Sequence, residues 1–354
     1  MKILNFGCAG FIGAHLTHRL LAEGHTVIGI DTHHDKIKEL LDDEQFIYKE
    51  QDIRTLGSAL GELVSEADLV IDLIAHANPG LYVRDPLDVY QLNFGENIKI
   101  AEACIQYQKR LIQFSSCEVY GKTVVSILPD KLLQPEDPAY ATFSEDTTDF
   151  ILGPINKHRW IYSCAKQLLE RVLHSYGLRG DLNYTIIRPF NFIGPKIDYL
   201  PSETEGIPRV FSYFMEALIR GTTMKLVDGG VHQRCYSYID DAVECIYKII
   251  VDTHDVCNHQ IFNIGAPQNE CSIRELAELM CDIWCTVFSK PPQLLPDIVD
   301  VTAEQFYGHG YEDSDRRIPD ITKAKTLLSW EPKCGLRDTL IQTMDYYISQ
   351  NTVS

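Results

Sequence analysis

The chain has 354 residues, of which 45% are hydrophobic and 23% are charged, values that are typical of a folded globular protein. Its formal net charge of −18 argues against nucleic acid or an anionic membrane as a partner. No stretch approaches the length needed to cross a bilayer, and the first residues, MKILNFGCAGFIG, lack the pattern of a signal peptide. The length suits one large α/β domain together with a smaller second domain.

The 11 cysteines are scattered, and none of them are spaced as Cys-x-x-Cys. An odd, dispersed set predicts neither a disulfide framework nor a zinc site, and we predict no other metal site. Reduced thiols indicate a cytoplasmic protein.

Strand and helix patterns alternate through the first half of the chain. Short apolar runs at 2–6, 26–31, 69–74 and 110–115 are separated by helical patterns, the first of which spans Phe11 to about Glu23. A long helical segment, NKHRWIYSCAKQLLERVLHSYG, then leads to a further apolar run, YTIIRP. This rhythm predicts an α/β fold with a doubly wound parallel sheet that is covered by helices on both faces.

The composition changes after Pro195, where the polar segment PKIDYLPSETEGIPR is typical of a lid or binding loop. Further on, Ser272 with Glu275 forms the pattern of a capping box at the start of a helix. We therefore predict two domains: residues 1–190, which hold the parallel sheet, and residues 191–354, a smaller α/β unit for substrate binding that is partly interleaved with the first.

Three glycines, Gly7, Gly10 and Gly13, lie between the first apolar run and the first helical pattern. The first permits a tight turn, the second lets the backbone approach a pyrophosphate, and the third lets helix and strand pack closely. The helix N-terminus offers N–H groups and a partial positive charge to phosphates. Glycines also mark plain turns, so this prediction depends on the flanking strand and helix.

Asp31 ends the second apolar run, where a dinucleotide-binding fold requires an acidic residue. A carboxylate there accepts hydrogen bonds from ribose hydroxyls and repels a 2′-phosphate. No arginine follows in DTHHDK, so the pattern predicts NAD rather than NADP as the cofactor.

Tyr162 and Lys166 are four residues apart in RWIYSCAKQLLERV and therefore lie on one face of the predicted helix. An ammonium group close to a phenol favours the phenolate and lowers the pKa of the tyrosine. The pair is a candidate general base near neutral pH, although this spacing also occurs by chance in helices.

Glu118, in FSSCEVYG, lies at the end of a predicted central strand. A buried carboxylate is costly unless it has a partner or a function. It is therefore a candidate catalytic group, or else a structural carboxylate that caps local N–H groups.

In chain order, GCAGFIG, SSCEVYG, YSCAK and RPFNFIGP resemble the motifs of the extended short-chain dehydrogenase/reductase family, whose members modify nucleotide sugars. The resemblance implies a Rossmann domain that binds NAD, a C-terminal substrate domain, and usually a homodimer formed through Rossmann helices. It implies a triad of Ser116, Tyr162 and Lys166, the last two also contacting the cofactor. The remaining cofactor-site residues that it implies, besides the glycines and Asp31, are Phe11, Ile12, Asp52 and Ile53.

Longer segments resemble UDP-glucuronate decarboxylases, namely the decarboxylase of the bacterial aminoarabinose pathway and plant UDP-apiose/UDP-xylose synthase. The segments are GPINKHRWIYSCAKQLLERV, EGIPRVF, KLVDGG, QRCYSYIDD and YEDSDRRIPDI. Cys117 and Glu118, both candidate catalytic residues, favour the synthase together with Arg159, whereas Ala77 stands where the synthase has a cysteine implicated in ring contraction. Decarboxylation is favoured, and ring contraction stays open.

This resemblance implies oxidation at C4 of UDP-glucuronate. The resulting ketone is β to the C6 carboxylate, so CO₂ leaves readily and forms an enolate that Ser116 and Tyr162 can stabilise. We expect Glu118 to position or relay the water that protonates C5. Arg317 matches an arginine proposed for that step, but its pKa exceeds about 12, so we expect it to orient the carboxylate or a water.

Anionic ligands in an acidic protein require local positive charge. Arginine suits such ligands because its guanidinium group can donate hydrogen bonds to two oxygens at once. Arg234 and Asn191 resemble family contacts to the diphosphate or sugar, whereas Lys225 and Arg209 could equally be solvated surface charges. The complete set of candidates for substrate binding or counter-charge is Arg159, Arg188, Asn191, Arg209, Lys225, Arg234 and Arg317.

Other functions stay open on the sequence alone. One is a 4-epimerase or a 4,6-dehydratase, although Cys117 replaces the dehydratase acid with a thiol of pKa about 8.5, a poor proton donor. Another is a non-catalytic NAD-sensing scaffold, which the retained Tyr162 and Lys166 argue against. The product, which is UDP-4-keto-pentose, UDP-xylose or a branched sugar, and the fate of the reduced cofactor are also open.

Overall fold

The structure is a computed structural model that describes residues 1–127, 137–203, 209–307 and 312–351. Its strands are β1 (Lys2–Phe6), β2 (Thr26–Asp31), β3 (Phe46–Glu50), β4 (Leu69–Asp72), β5 (Arg110–Phe114), β6 (Thr142–Phe143), β7 (Tyr184–Pro189), β8 (Phe192–Ile193), β9 (Met224–Val227), β10 (Gln233–Cys235), β11 (Ser237–Tyr238), β12 (Gln260–Ile264), β13 (Glu270–Ser272), β14 (Ile298–Val301) and β15 (Arg316–Pro319). Its helices are α1 (Phe11–Ala22), α2 (Ala59–Glu66), α3 (Pro79–Arg84), α4 (Pro86–Tyr90), α5 (Asn97–Gln106), α6 (Val124–Ile127), α7 (Ile161–Leu178), α8 (Val210–Arg220), α9 (Ile239–Ile250), α10 (Ile273–Thr286), α11 (Ala303–Tyr307), α12 (Thr322–Leu328) and α13 (Leu336–Asn351).

The central element is a seven-stranded sheet in the order β3-β2-β1-β4-β5-β7-β12, with every neighbouring pair parallel. The predicted apolar runs form its inner strands. The edge strand β3 was not predicted, because its sequence, FIYKE, ends in two charged residues and is only partly buried.

The two faces of the sheet carry separate hydrophobic cores. Along β1, Ile3 packs with the residues of α1 and α9, whereas Leu4 and Phe6 pack on the opposite face with those of α2, α5 and α7. This alternation follows from the two-residue period of a strand. The predicted doubly wound parallel sheet, covered on both faces, is confirmed.

Smaller sheets contain most of the later strands, and segments cross between the two halves of the chain. A four-stranded sheet has the order β13-β10-β15-β6, and the pairs β11-β8 and β14-β9 form two further sheets. The early strand β6 thus joins the later sheet, while the late strand β12 joins the central one. The division near residue 190 stays a prediction.

Local signals account for several boundaries. The capping box at α10 is confirmed, because the Ser272 hydroxyl accepts from Glu275 N–H at 3.1 Å and Ser272 N–H donates to Glu275 Oε2 at 2.7 Å. The long predicted helix begins only at Ile161, after a 3-10 turn over His158–Trp160. Residues 204–208 of the predicted lid loop lie outside the described residues. Within the part of the chain that is described, no helix is long and apolar enough to span a bilayer.

Candidate active site

The glycine-rich turn connects β1 to α1 at the carboxyl edge of the central sheet. Gly7 has φ +82°, a conformation that disfavours any residue with a Cβ. A Cβ on Gly13 would lie 2.0 Å from the Gly7 carbonyl oxygen, so helix and strand approach as closely as predicted. Gly10 differs, because its φ is −66° and its Cβ would make only an ordinary contact, at 3.4 Å. No backbone constraint of the fold explains a glycine there, whereas a pyrophosphate lying against the turn would.

Asp31, at the end of β2, points its carboxylate at this turn. Its Oδ2 accepts from Ala9 N–H at 2.8 Å and its Oδ1 from Thr32 N–H at 2.7 Å. These bonds hold the carboxylate beside the glycines and leave it capacity to accept from ribose hydroxyls. The turn, the N-terminus of α1 and Asp31 therefore fit NAD.

The other predicted cofactor residues lie around this edge in different environments. Phe11 and Ile12 are the first two residues of α1. Asp52 caps a short 3-10 helix at residues 53–55 and forms an ion pair with Arg54 at 2.8 Å, while Ile53 is buried beside it. The capping bond and ion pair already give Asp52 a local structural role.

Tyr162 and Lys166 lie on α7, and both are buried. Lys166 Nζ donates to the Phe114 carbonyl at 3.0 Å, and burial lowers its pKa to about 8, against the opposing effect of Asp72 and Glu170. Burial raises the pKa of Tyr162, although a hydrogen bond with Ser116 opposes this rise. The expected lowering of the phenol pKa is therefore not found, because burial outweighs nearby positive charge.

The segment after β5 turns sharply and presents Ser116 and Glu118 next to Tyr162. The Ser116 hydroxyl accepts from Glu118 N–H at 3.2 Å and so begins a 3-10 helix over Cys117–Tyr120. Gly121 ends this helix at φ +72°, where a Cβ would lie 2.0 Å from the Ile151 carbonyl oxygen. Because β5 ends at Phe114 and this helix begins at Cys117, Glu118 lies beyond the end of the strand instead of within it.

Glu118 belongs to a network of five charged side chains, and we refer to Glu118, Asp313, Arg159, Arg234 and Arg317 as the arginine network. Glu118 pairs through Oε1 with Arg317 and through Oε2 with Arg159, both at 2.6 Å. Asp313 Oδ1 lies 2.5 Å from Arg317 and 3.3 Å from Arg159, and its Oδ2 lies 2.9 Å from Arg234. Three cations and two anions give the network a net charge of +1.

Electrostatics keep both carboxylates of the network ionised. Burial raises the pKa of Glu118, but Arg159 and Arg317 outweigh burial and hold it below its ordinary value. The pKa of Asp313 is likewise held well below its ordinary value, because the three arginines overcome burial. Glu118 thus pairs with arginines rather than capping backbone N–H groups, which was the alternative interpretation.

Cys117 is buried beside this network. Its Sγ lies 3.6 Å from Arg317 Nη1. Burial raises the pKa of the thiol in spite of the arginine charge, so Cys117 stays protonated near neutral pH. A thiol in this state is a weak acid and a weak nucleophile.

A cavity of ≈ 370 Å³ joins these groups. Its lining includes Ala77 and, of the predicted site residues, Ile12, Ser116, Cys117, Glu118, Arg159, Tyr162, Asn191, Arg209, Lys225, Arg234 and Arg317. One cavity therefore reaches from the start of α1, past Ser116 and Tyr162, to the arginine network. This volume is within the usual range for small-ligand sites.

Asn191, Arg209 and Lys225 border the cavity in different ways. Asn191 has φ 42°, a left-handed conformation that is uncommon for a residue other than glycine and tends to mark functional positions. Arg209 lies 5.4 Å from the centre of the Phe11 ring and is held by Asp198 at 2.7 Å, so it borders the cofactor end. Lys225 is an exposed residue of β9.

Arg188 requires a correction. It was predicted to offer positive charge to an anionic ligand, but it is fully buried in an ion pair with Glu170, with Nη2 and Oε2 2.6 Å apart. It is not among the described residues that line the cavity. The first five residues of β7, Tyr184 to Arg188, are all buried, so this strand lies inside the molecule and carries Arg188 with it.

Two of the cavity residues that sequence reasoning missed, Asp313 and Tyr82, contact the predicted site residues. Asp313 contacts all three arginines of the network, and its only signal was its position in the segment YEDSDRRIPDI. Tyr82 stacks on Tyr162 with ring centres 4.7 Å apart and ring planes 5° from parallel. No local pattern pointed to Tyr82, because its contact with Tyr162 joins segments distant in sequence.

Comparison with known proteins decides the family. Residues 3–265 match the NAD dependent epimerase/dehydratase family. The chain belongs to this family. The predicted membership and NAD as cofactor are thereby confirmed, and the chain is an enzyme of this class.

Individual relatives are similar along most of their length. UDP-D-apiose/UDP-D-xylose synthase of Oryza sativa subsp. japonica is 42% identical over 356 aligned residues, covering 98% of this chain and 89% of the rice protein. UDP-D-apiose/UDP-D-xylose synthase 1 of Arabidopsis thaliana is also 42% identical, with 98% and 91% covered. The crystal structure of the PbgP3 protein from Burkholderia pseudomallei has a TM-score of 0.84 at 34% identity, with 99% and 97% covered.

Proposed function

We propose that the protein is an NAD-dependent UDP-glucuronate decarboxylase. The observation that carries the proposal is the arginine network of net charge +1, which borders the same cavity as Ser116 and Tyr162. A uronic acid whose C4 lies beside Tyr162 would direct its C6 carboxylate toward positive charge. The 42% identity to proteins named UDP-D-apiose/UDP-D-xylose synthase supports a UDP-sugar substrate.

The cofactor would be held by the backbone around Gly10, the N-terminus of α1 and Asp31. When bound, NAD supplies the hydride acceptor for C4 and a positively charged ring that favours an ionised phenol nearby. The roles of Asp52 and Ile53 at the adenosine end are part of the same proposal.

Tyr162 acts as the base for the C4 hydroxyl, and Ser116 holds the oxygen. Ser116 and Tyr162 both line the cavity, and Ser116 lies near enough to the phenol to oppose the rise in its pKa. Lys166, which lies on α7 with Tyr162 and is fixed by the Phe114 carbonyl, contributes positive charge to this part of the site. Loss of the C4 hydroxyl proton to Tyr162, together with loss of the C4 hydride to the bound NAD, would leave a ketone whose oxygen both hydroxyl groups can stabilise during the next step.

CO₂ then leaves from the β-keto acid, and its bonding electrons form the enolate at C4. Glu118 remains ionised and therefore cannot act as a proton donor near neutral pH. Its carboxylate can instead hold a water from which C5 takes a proton, while Arg317 orients that water or the substrate carboxylate. Arg159, Arg234, Asn191 and Lys225 are proposed to bind the remaining substrate.

The test is incubation of the purified protein with UDP-glucuronate and NAD. We expect CO₂ release and a nucleotide sugar, identified by mass spectrometry and NMR, that is lighter by the mass of CO₂ if the ketone is reduced again, or by CO₂ and two hydrogens if the ketone is released. Turnover of UDP-glucuronate with no CO₂ would support a 4-epimerase and contradict the proposal. Arg317→Gln adds a second criterion, because an enzyme for neutral sugars would not need this arginine.

Ring contraction to a branched pentose is the second candidate. It is favoured by the similarity to apiose/xylose synthases and by the position of Cys117 in the cavity wall. It is disfavoured by Ala77, which lines the same cavity without a thiol. NMR of the product distinguishes the two, because only ring contraction gives a branched furanose.

We further propose that the enzyme is a cytoplasmic homodimer. All 11 cysteines are free, as expected for a reducing compartment.

The proposed dimer surface is formed by α4 and α7, which pack against each other. The exposed fractions of Leu87, Tyr90 and Leu168 are 76%, 40% and 45%, so the two helices present apolar surface together. Light scattering should give the mass of a dimer, and Leu168→Arg should shift it toward that of a monomer.

A further inference from the structure

Asp313 is the most connected member of the arginine network. Its two carboxylate oxygens contact all three arginines, whereas Glu118 contacts two. Asp313 lies on the cavity wall, and its backbone precedes β15, which carries Arg317. It therefore controls both the position of the arginines and their combined charge.

The charge of this network matches one additional carboxylate. Its arginines are almost completely buried, with 1%, 7% and 2% of Arg159, Arg234 and Arg317 exposed. Positive charge that is removed from water is costly unless an anion compensates it. A bound uronate would bring the total of the six groups to zero.

That balance matters for the chemistry. During decarboxylation the C5–C6 bond breaks, its electron pair forms the C4–C5 enolate, and C6 leaves as neutral CO₂. The negative charge thus moves from C6 to the C4 oxygen near Ser116 and Tyr162. Cations that bind the carboxylate tightly stabilise the bound substrate more than the transition state. Such binding therefore slows the loss of CO₂.

We propose that Asp313 is a positioning residue that limits the positive charge facing the substrate carboxylate, so that the network binds a uronate without retarding its loss of CO₂. This inference rests on the proposed decarboxylase function. Without Asp313 the network would carry +2, hold the carboxylate more tightly and release CO₂ more slowly.

The first test is steady-state kinetics of Asp313→Asn with UDP-glucuronate. We expect KM and kcat each to fall about tenfold, a moderate electrostatic effect, while kcat/KM changes by less than about threefold. Asp313→Glu keeps the charge and should retain a KM close to that of the wild type. A purely structural role predicts a higher KM together with a lower kcat, and that result would overturn the inference.

The second test measures binding without turnover, in a Tyr162→Phe background with NAD present. Calorimetry gives the Kd of UDP-glucuronate and of UDP-xylose, which lacks the carboxylate, and their ratio isolates carboxylate recognition. Asp313→Asn should shift the ratio about tenfold in favour of UDP-glucuronate. Arg234→Gln, which lowers the network charge to zero, should shift it in the opposite direction, even if this arginine also contacts the diphosphate.

The two tests separate this inference from the function on which it rests. Absence of CO₂ release by the wild-type enzyme would refute the decarboxylase proposal. An active wild-type enzyme whose Kd ratio is unchanged in both variants would refute only the role of Asp313. If Asp313→Asn does not fold, Arg234→Gln still gives a result of predicted sign.

Discussion

Two buried sets of arginine and carboxylate lie in this molecule, and they differ in charge balance. In the first, Arg188 pairs with Glu170 through two bonds, Nε to Oε1 at 3.0 Å and Nη2 to Oε2 at 2.6 Å. Its Nη1 donates to the Tyr120 hydroxyl at 2.7 Å, and that hydroxyl donates to Asn263. The set is neutral, and Arg188 is not among the described residues of the cavity wall.

The arginine network is the second set. It is also buried, yet it carries a net charge of +1 and borders the cavity. A neutral pair removed from the cavity is explained by the fold alone. An excess of positive charge among these five residues at the wall of a cavity favours an anionic ligand, which makes charge balance, rather than burial, the informative property.

The largest expected difference in turnover is between variants of Tyr162, which lines the same cavity as the arginine network, and of Tyr120, which contacts Arg188. Tyr162→Phe should lower turnover by about 10³-fold, because it removes the proposed general base. The substitution keeps the ring stacked on Tyr82, so NAD should still bind. Turnover is measured as CO₂ release, and NAD affinity by fluorescence titration.

Tyr120→Phe is the matched control in the first region. It deprives Arg188 and Asn263 of a buried partner, so we expect it to lower the free energy of unfolding by about 1–3 kcal/mol. Turnover of the folded enzyme should change by less than about twofold. Equal activity loss in both variants would mean that Tyr162 has no special chemical role.

The glutamates give the next comparison. Glu170→Gln should lower the free energy of unfolding by about 3–5 kcal/mol, because it leaves Arg188 buried without its anion. Glu118→Gln should cost less stability, since Asp313 still forms ion pairs with Arg159 and Arg317, but should lower turnover by about 10². Urea unfolding and CO₂ release measure the two quantities.

A reversal of this order would contradict the comparison between the regions. If Glu170→Gln lowered turnover as strongly as Glu118→Gln in the folded state, the neutral pair would be part of the catalytic site. If Glu118→Gln lost more stability, the arginine network would be mainly a structural element.

The parts of the site that were predicted from sequence depend on local geometry. Gly7 and Gly13 are adjacent to one strand and one helix, so their spacing alone fixes their roles in the turn. Tyr162 and Lys166 share a helix face because four residues are about one turn. Ser116 and Glu118 come directly after the end of β5, so a prediction of that strand also places them.

The parts that were missed depend on distant contacts and on strand parity. Asp313 is 195 residues from Glu118, and nothing near either residue indicates that they share two arginines. Arg316 and Arg317 are neighbours on β15, yet Arg316 pairs with Glu270 and Arg317 enters the network. Which of two adjacent strand residues faces the cavity depends on the register of the sheet, and that is set by tertiary packing.

A smaller effect should appear in the pH dependence of stability. The pKa of Glu118 lies below its ordinary value of 4.5, so its stabilising contribution is complete above that value and is lost as pH falls through the lowered one. The difference in unfolding free energy between wild type and Glu118→Gln should therefore shrink in acid, by at most about 1.4 kcal/mol per pH unit. Urea unfolding at several pH values measures it.

Glu145→Gln provides a control of opposite sign. Burial raises the pKa of Glu145, although Asn263 N–H donates to it, so its contribution is complete in acid and is lost as pH rises through the raised value. The difference between wild type and this variant should grow as pH falls. Identical slopes for the two variants would contradict the assigned charge states.

The smallest expected effect is that of Cys117→Ser, which tests the decarboxylase against the ring-contracting candidate. Decarboxylation has no leaving hydroxyl to protonate, and burial keeps this thiol neutral, so turnover should change by less than about threefold with the same product. Cys235→Ser, at a buried thiol outside the described lining of the cavity, controls for the cost of a buried hydroxyl. If Cys117→Ser selectively abolished a branched product while CO₂ release continued, Cys117 would be a reactive group, and ring contraction would proceed without a second thiol at Ala77.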